Sequence, residues 1–240
     1  VPLRPIPYYD RGATAVKFSE WEPAYESILS DFGFSREADE ASRDALADLA
    51  RPFDTGRFAG VEGAAVAVAG AGPSLADEAE RAAEADYVFA ASTAADLLRD
   101  AGIAVDLMVT DLDKNVETAR DLTREGVPVA AHAHGDNLAA VREWIPAFDP
   151  EHTLATTQAA PVGPVVNYGG FTDGDRAAFI ADEFGAGTLT FVGWDFDDPS
   201  VDPIKAKKLG WAERLLRWLE LRRGERFSIL DGRRGAIDLP

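Results

Sequence analysis

Residues 64–75, AAVAVAGAGPSL, decide the fold. The run is apolar without polar alternation and stops in Gly-Ala-Gly-Pro-Ser, so it reads as a strand buried on both faces, leading through a tight turn into a helix. The same pattern recurs downstream. YVFAAS (87–92) precedes a helical stretch over Ala94–Asp100, and VDLMVTD (105–111) precedes Val116–Arg124. VPVAAHAHGD (127–136) precedes a helix near Leu138–Phe148, and TLATT (153–157) with PVVNYGG (164–170) precedes Arg176–Phe184. TLTFVGWDF (188–196) precedes a long helix near Lys205–Arg223. Strands that are apolar throughout, each followed by a helix, predict a mostly parallel sheet covered on both faces: a doubly wound α/β domain over residues 61–240.

Residues 1–60 read differently. A Pro-rich arm, VPLRPIPYYDRG, leads into a helix in which Ser19 and Glu22 have capping-box spacing and Trp21, Tyr25, Ile28, Leu29 and Phe32 recur at helical intervals. A second helix, about Arg36–Arg51, sets Ala38, Ala41, Ala45, Leu46 and Leu49 on one stripe with acids opposite. Neither helix clusters reactive groups. They form a small amino-terminal helical subdomain whose expected role is packing.

Composition narrows the function. The 240 residues are 46% hydrophobic, enough for a packed core. With no cysteine, the chain has no disulfide, thiol catalysis or Cys-ligated zinc. No apolar run approaches the roughly 20 residues of a membrane span, and the amino end lacks the apolar stretch of a signal peptide, so a soluble cytoplasmic protein is expected. Forty-two acidic side chains against 24 basic ones, a net charge of −18, would repel a nucleic-acid backbone. Only five of the basic residues are lysine and nineteen are arginine. An acidic, lysine-poor, alanine-rich surface suits a cytoplasm of molar salt, where self-repulsion is screened.

In an open parallel sheet, ligands sit beyond the carboxyl ends of the strands. There the sequence collects GAGPS (Gly70–Ser74), AST (Ala91–Thr93), TDLDKN (Thr110–Asn115), HAHGDN (His132–Asn137), NYGGFTDGD (Asn167–Asp175) and GWDFDD (Gly193–Asp198). Asp111 and Asp113 are two apart, so on extended backbone their carboxylates project to one side and repel unless a cation intervenes. In a Cys-free site that cation is expected to be Mg²⁺, with Asp136 as a third ligand. The alternative is an Asx turn with Asp113 capping the next helix. Asp136 could equally be an N-cap, and His132, His134 and Asp136 could instead bind zinc or iron as in a metal-dependent hydrolase.

Gly70, Gly72 and Ser74 stand where a strand-to-helix turn meets phosphate, although neither G-x-G-x-x-G nor a Walker lysine is present. Gly169, Gly170 and Thr172 offer a second anion cradle; Thr172 and Ser74 also read as helix caps. Three of the five lysines, Lys205, Lys207 and Lys208, form a positive exception at a helix start, as a phosphate tail requires.

Taken in order, GAGPSL, VDLMVTDLD, HAHGDN, YGGFTDGDRA and FVGWDF with KAKKLGWA resemble the archaeal 6-hydroxymethyl-7,8-dihydropterin pyrophosphokinase family, over about Val61–Ala212. That family is related to the catalytic domain of thiamine pyrophosphokinase. The resemblance implies a Rossmann-like sheet and an enzyme that moves diphosphate from ATP to the hydroxymethyl of a reduced pterin, releasing AMP, for folate or methanopterin synthesis. It implies Mg²⁺ on Asp111, Asp113 and Asp136, phosphate charge offset by Lys205 and Lys208, and His134, another Asp or water as base. On this reading Gly70, Gly72, Ser74, Ser92, Thr93, Gly169, Gly170 and Thr172 bind the co-substrates, with Trp194 and Asp195 on the pterin. Flagellin-modifying glycosyltransferase-like proteins share GAGPSL, so a sugar-nucleotide transferase is the competing enzyme; a non-catalytic nucleotide-binding module and a dimer through the amino-terminal helices remain open.

Overall fold

The computed structural model describes residues 16–240. The Pro-rich arm lies outside the described residues. Six strands, β1 (Ala65–Ala69), β2 (Tyr87–Ala91), β3 (Leu107–Thr110), β4 (Val129–Ala133), β5 (Thr153–Thr157) and β6 (Thr188–Val192), pair in parallel in the order β5-β4-β3-β2-β1-β6. The chain winds outward from β1 to β5, then returns to lay β6 on the other side of β1. The switch point of this doubly wound sheet therefore falls between β1 and β6, which are in register from Ala65–Thr188 to Ala69–Val192.

Alternation along each strand sorts the core into two layers. Val66 and Val68 of β1 face one apolar cluster, together with Phe89, Val109, Leu154 and Phe191; Ala67 and Ala69 face the other, with Ala90, Met108, Ala131 and Val192. Over the first face pack α1 (Phe18–Phe32), α7 (Asp173–Glu183) and α8 (Pro203–Arg223). Over the second pack α2 (Arg36–Leu49), α3 (Leu75–Ala82), α4 (Ala94–Asp100), α5 (Val116–Glu125) and α6 (Leu138–Trp144). The expected helix–sheet–helix sandwich is what the chain builds.

Several boundaries differ from the sequence reading, each for a local reason. PVVNYGG is not a strand: only Val165 and Val166 make isolated bridges, because Gly169 and Gly170 take left-handed backbone at φ 90° and 91° and turn the chain into α7. Helix α1 begins at Phe18, so Ser19 and Glu22 form no capping box; instead the Lys17 N–H donates to Glu20 Oε2 at 3.2 Å. Helix α7 begins at Asp173, three residues early, since Thr172 is its N-cap and the Asp175 carboxylate accepts from the Phe171 and Thr172 amides at 2.6 and 2.9 Å.

The two amino-terminal helices are joined to the sheet by more than shape. Trp21, Tyr25 and Ile28 are fully buried, and the Trp21 indole N–H donates to Gln158 O at 2.8 Å. Of the expected stripe on α2 only Leu46 is fully buried; Asp39 and Ser42 complete the buried face, and Leu49 is exposed. An acid can occupy that face because its oxygens are satisfied. Asp39 Oδ2 accepts from Tyr25 Oη and Gln158 Nε2, both at 2.8 Å, and Oδ1 accepts from Gly135 N at 2.6 Å. No helix of the described residues is long and apolar enough to cross a membrane.

Candidate active site

At the carboxyl ends of β6, β1, β2 and β3 a cleft of about 310 Å³ opens, centred on the switch point. Its floor requires glycine. A Cβ on Gly193, at φ 69°, would meet Gly70 O at 2.3 Å, so the two loops cross in backbone contact. The lining draws on Gly70 and Gly72 after β1, Ser92 and Thr93 after β2, Asp111 and Asp113 after β3, Thr172 and Asp173 at the start of α7, Trp194 and Asp195 after β6, and Lys205 and Lys208 on α8. Strand ends distant in sequence thus meet as expected, and helix α8 folds over them.

The two aspartates converge by a route other than extended backbone. Leu112 between them is buried and left-handed, at φ 65°, with its N–H held by Thr110 Oγ1 at 3.0 Å. The turn brings the Asp113 N–H to 3.3 Å from Asp111 Oδ1. This is the Asx geometry of the alternative reading, yet Asp113 caps nothing: Asn115 is the N-cap of α5, and both carboxylates line the cleft. Burial pushes Asp111 up, but hydrogen bonds from His134 and Asp113 and the charges of His134 and Arg176 outweigh it and hold its carboxyl far below the usual range. Asp113 is pushed up to about 6 by partial burial and by the Asp111 carboxylate beside it. Two carboxylates held this close, one of which resists ionisation until about pH 6, form an oxygen cradle that suits a hard divalent cation.

Asp136 is not part of this cradle. It is exposed at the end of β4, one strand farther from the switch point, and outside the cleft. Among the described residues no three His, Asp or Glu side chains converge around one point, so a cation here would complete its shell with phosphate oxygens and water. The same finding leaves the histidine–aspartate hydrolase without a ligand set. His132 is fully buried against Thr156 Oγ1 at 3.0 Å, and burial with the nearby Arg176 charge holds it neutral, well below the ordinary range. His134 does not line the cleft either; its Nε2 stands 3.7 Å from Asp111 Oδ2, behind the carboxylate.

Sequence reasoning passed over the groups that build this arrangement from below. Asp173 lines the cleft and pairs with the buried Arg176 at 2.9 Å; burial, then the Asp111 charge, push its carboxyl well above the usual range. Asn137, also buried, donates from Nδ2 to Asp111 O at 2.6 Å and His132 O at 2.7 Å, tying the end of β4 to that of β3. The signal available for Asp173 and Arg176 was their i,i+3 spacing in TDGDR, at the start of a helix.

Both proposed anion cradles are filled internally. The Ser74 N–H donates to Asp195 Oδ2 at 2.9 Å, and Ser74 itself does not line the cleft. Gly169 and Gly170 are buried away from the cleft; a Cβ on Gly170 would meet the Arg176 backbone at 2.5 Å, so that glycine is there for packing. The Asp175 carboxylate takes the amides at the start of α7. Positive charge comes instead from Lys114, Lys205 and Lys208. Lys207 is on another face of α8, paired with Asp31 at 2.9 Å and 4.5 Å above the Phe32 ring. Trp194 is wedged against Gly70 and Gly174, its indole N–H donating to Val68 O at 3.0 Å, which leaves part of the ring facing the cleft.

Residues 40–200 match the model of a family described as 6-hydroxymethylpterin diphosphokinase MptE-like. Three archaeal relatives bear the name 6-hydroxymethyl-7,8-dihydropterin pyrophosphokinase. That of Methanothermobacter thermautotrophicus is 38% identical over 219 residues, covering 83% of this chain and 94% of the relative. Those of Pyrococcus furiosus and Methanocaldococcus jannaschii are 36% and 31% identical, covering 85% and 84% of this chain and 95% of each relative. With a family model matched over two thirds of its length and relatives aligned nearly end to end, the chain belongs to the MptE-like 6-hydroxymethylpterin diphosphokinase family.

Proposed function

We propose that the chain transfers the terminal diphosphoryl group of ATP to the hydroxymethyl oxygen of 6-hydroxymethyl-7,8-dihydropterin, in the cytoplasm and with Mg²⁺. The observation that carries this reading is the convergence of Asp111 and Asp113 with Lys205 and Lys208 across one cleft, in a chain of this family. The pterin hydroxyl attacks the β-phosphorus, the bond from that phosphorus to the α,β-bridging oxygen breaks, AMP departs, and the hydroxyl proton is lost. Such a transfer needs positioning and charge neutralisation more than covalent catalysis. Mg²⁺ held by Asp111 and Asp113 would offset charge on the triphosphate. Lys205 and Lys208, three residues apart on α8, supply cations from the facing wall, and Lys114 adds a third. His134 and Asn137 orient the acidic loop from behind, which leaves the proton to a cleft carboxylate or to solvent.

Acidic and basic groups both line the cleft. Around Gly72 the Asp195 carboxylate covers the turn, an environment that suits the N–H edge of an aminopyrimidine ring better than a phosphate. We therefore assign the pterin to the side of Trp194 and Asp195, and the triphosphate to the side of the lysines.

The test is product analysis. Incubated in molar salt with ATP, Mg²⁺ and 6-hydroxymethyl-7,8-dihydropterin, the protein is expected to release one AMP per pterin diphosphate formed. Release of ADP, or no turnover, would refute the reading.

A further inference from the structure

Among the described residues, three that are not glycine have left-handed backbone: Ser92 at φ 44°, Leu112 at φ 65° and Asn115 at φ 38°. All three stand at the carboxyl ends of β2 and β3. Such conformations are disfavoured for side chains with a Cβ and persist where surrounding contacts enforce them. Leu112 is accounted for by the turn that joins the two aspartates. Ser92 and Asn115 are joined to each other: Ser92 Oγ donates to Asn115 Oδ1 at 3.2 Å, and Asn115 Nδ2 donates back to Ser92 O at 3.2 Å and to Asp96 Oδ2 at 2.8 Å.

An asparagine at the N-cap of a helix ordinarily turns its Oδ1 onto the amides of the first turn. Asn115 occupies the N-cap of α5 and makes no such bond. Its side chain reaches across to the β2–α4 loop instead, so its contacts are not those of a helix cap. The two residues before it, Asp113 and Lys114, line the cleft, as does Ser92 opposite.

We propose that Asn115 is a positioning residue for the diphosphoryl transfer. It clamps the acidic loop to the β2–α4 loop and so sets Asp113 and Lys114 against the transferred group without touching it. This inference rests on the functional reading above. The clamp has two separable parts, a left-handed backbone and a set of side-chain bonds. N115G keeps access to the first and removes the second. The double variant D96N/N115D reverses the polarity of the bond between the two side chains and keeps an acceptor for Ser92 Oγ, while giving up the donor to Ser92 O.

The experiment compares wild type, N115G and D96N/N115D as full chains by thermal melting, by kcat and KM for ATP and pterin, and by hydrogen exchange over residues 110–116. N115G is expected to melt within a few degrees of wild type and to exchange faster over that segment. Its kcat should fall about ten- to a hundredfold while KM for the pterin changes less than about threefold, the pattern of an interaction lost in the transition state alone. D96N/N115D, which keeps two of the three clamp bonds, is expected to have a kcat between those of N115G and wild type. Wild-type kcat and exchange in N115G would overturn the proposal, as would equal losses of kcat and melting temperature in both variants. If wild type releases no AMP, the functional reading has failed, and unchanged exchange in N115G would then reject the clamp independently.

Discussion

Asp113 couples the chemistry of the site to the stability of the fold. Its carboxyl titrates near 6 in the folded chain against an ordinary value of 3.8, raised by partial burial and by Asp111. Between those values the folded state holds a proton that the unfolded chain has released, so this group lowers stability as pH rises from 3.8 to 6 and keeps it lowered above. D113N removes the effect. Its melting temperature, measured without divalent cation, is expected to match wild type near pH 4 and exceed it at pH 7, while turnover falls by on the order of 10²–10³-fold. Added Mg²⁺ should raise the melting temperature of wild type and leave D113N unmoved. A D113N protein no more stable than wild type at pH 7 would contradict the strained pairing with Asp111. At this scale the sequence was informative about identity and silent about route. It showed two aspartates two apart, but their convergence depends on a left-handed Leu112 that no extended-strand argument contains. It likewise offered His134 for the cleft, where the side chain stands behind Asp111.

At the scale of the element, helix α8 sorts its lysines by helical phase. Lys205 and Lys208 lie on the cleft side, and Lys207 turns to Asp31 and Phe32 of α1. K205A and K208A are each expected to lower kcat/KM for ATP by about 10- to 100-fold, the loss of one charge-assisted contact to phosphate. K207A should leave kcat/KM unchanged and shift the melting temperature little, because the pair with Asp31 is exposed and screened by solvent. Steady-state kinetics on the three variants checks this; a K207A as impaired as K208A would contradict the phase assignment. Helix α1 is structural in a different sense. Trp21 has no exposed surface and anchors Gln158 O, so W21A is expected to cost about 3–5 kcal/mol in chemical denaturation. The strands were legible because both faces are buried, which leaves uninterrupted apolar runs. The buried face of α2 was not, because Asp39 and Ser42 owe their burial to partners in the segments just after β4 and β5 that only the assembled fold supplies.

For the whole molecule, winding order explains most of what the sequence could and could not locate. Motifs after β1, β2, β3 and β6 meet because those strands lie at or near the switch point, whereas HAHGD runs off the end of β4 and delivers Asp136 to solvent. Sequence order alone does not say which loops are adjacent. The net charge of −18 acts on the same scale. Screening shortens from about 10 Å at 0.1 M salt to about 3 Å at 1 M, so self-repulsion among surface carboxylates is removed only at high salt. We propose adaptation to such salt: the circular-dichroism melting temperature should rise steadily between 0.1 and about 2 M KCl. A temperature independent of salt would count against it.

The central claim, that acidic and basic side chains from separate loops hold one nucleotide and its cation at the switch point, is tested most directly by a cocrystal structure with a nonhydrolysable ATP analogue and Mn²⁺. The account predicts anomalous density bridging Asp111 and Asp113, with the triphosphate running on toward Lys205 and Lys208. Metal or triphosphate bound elsewhere on the molecule would contradict it.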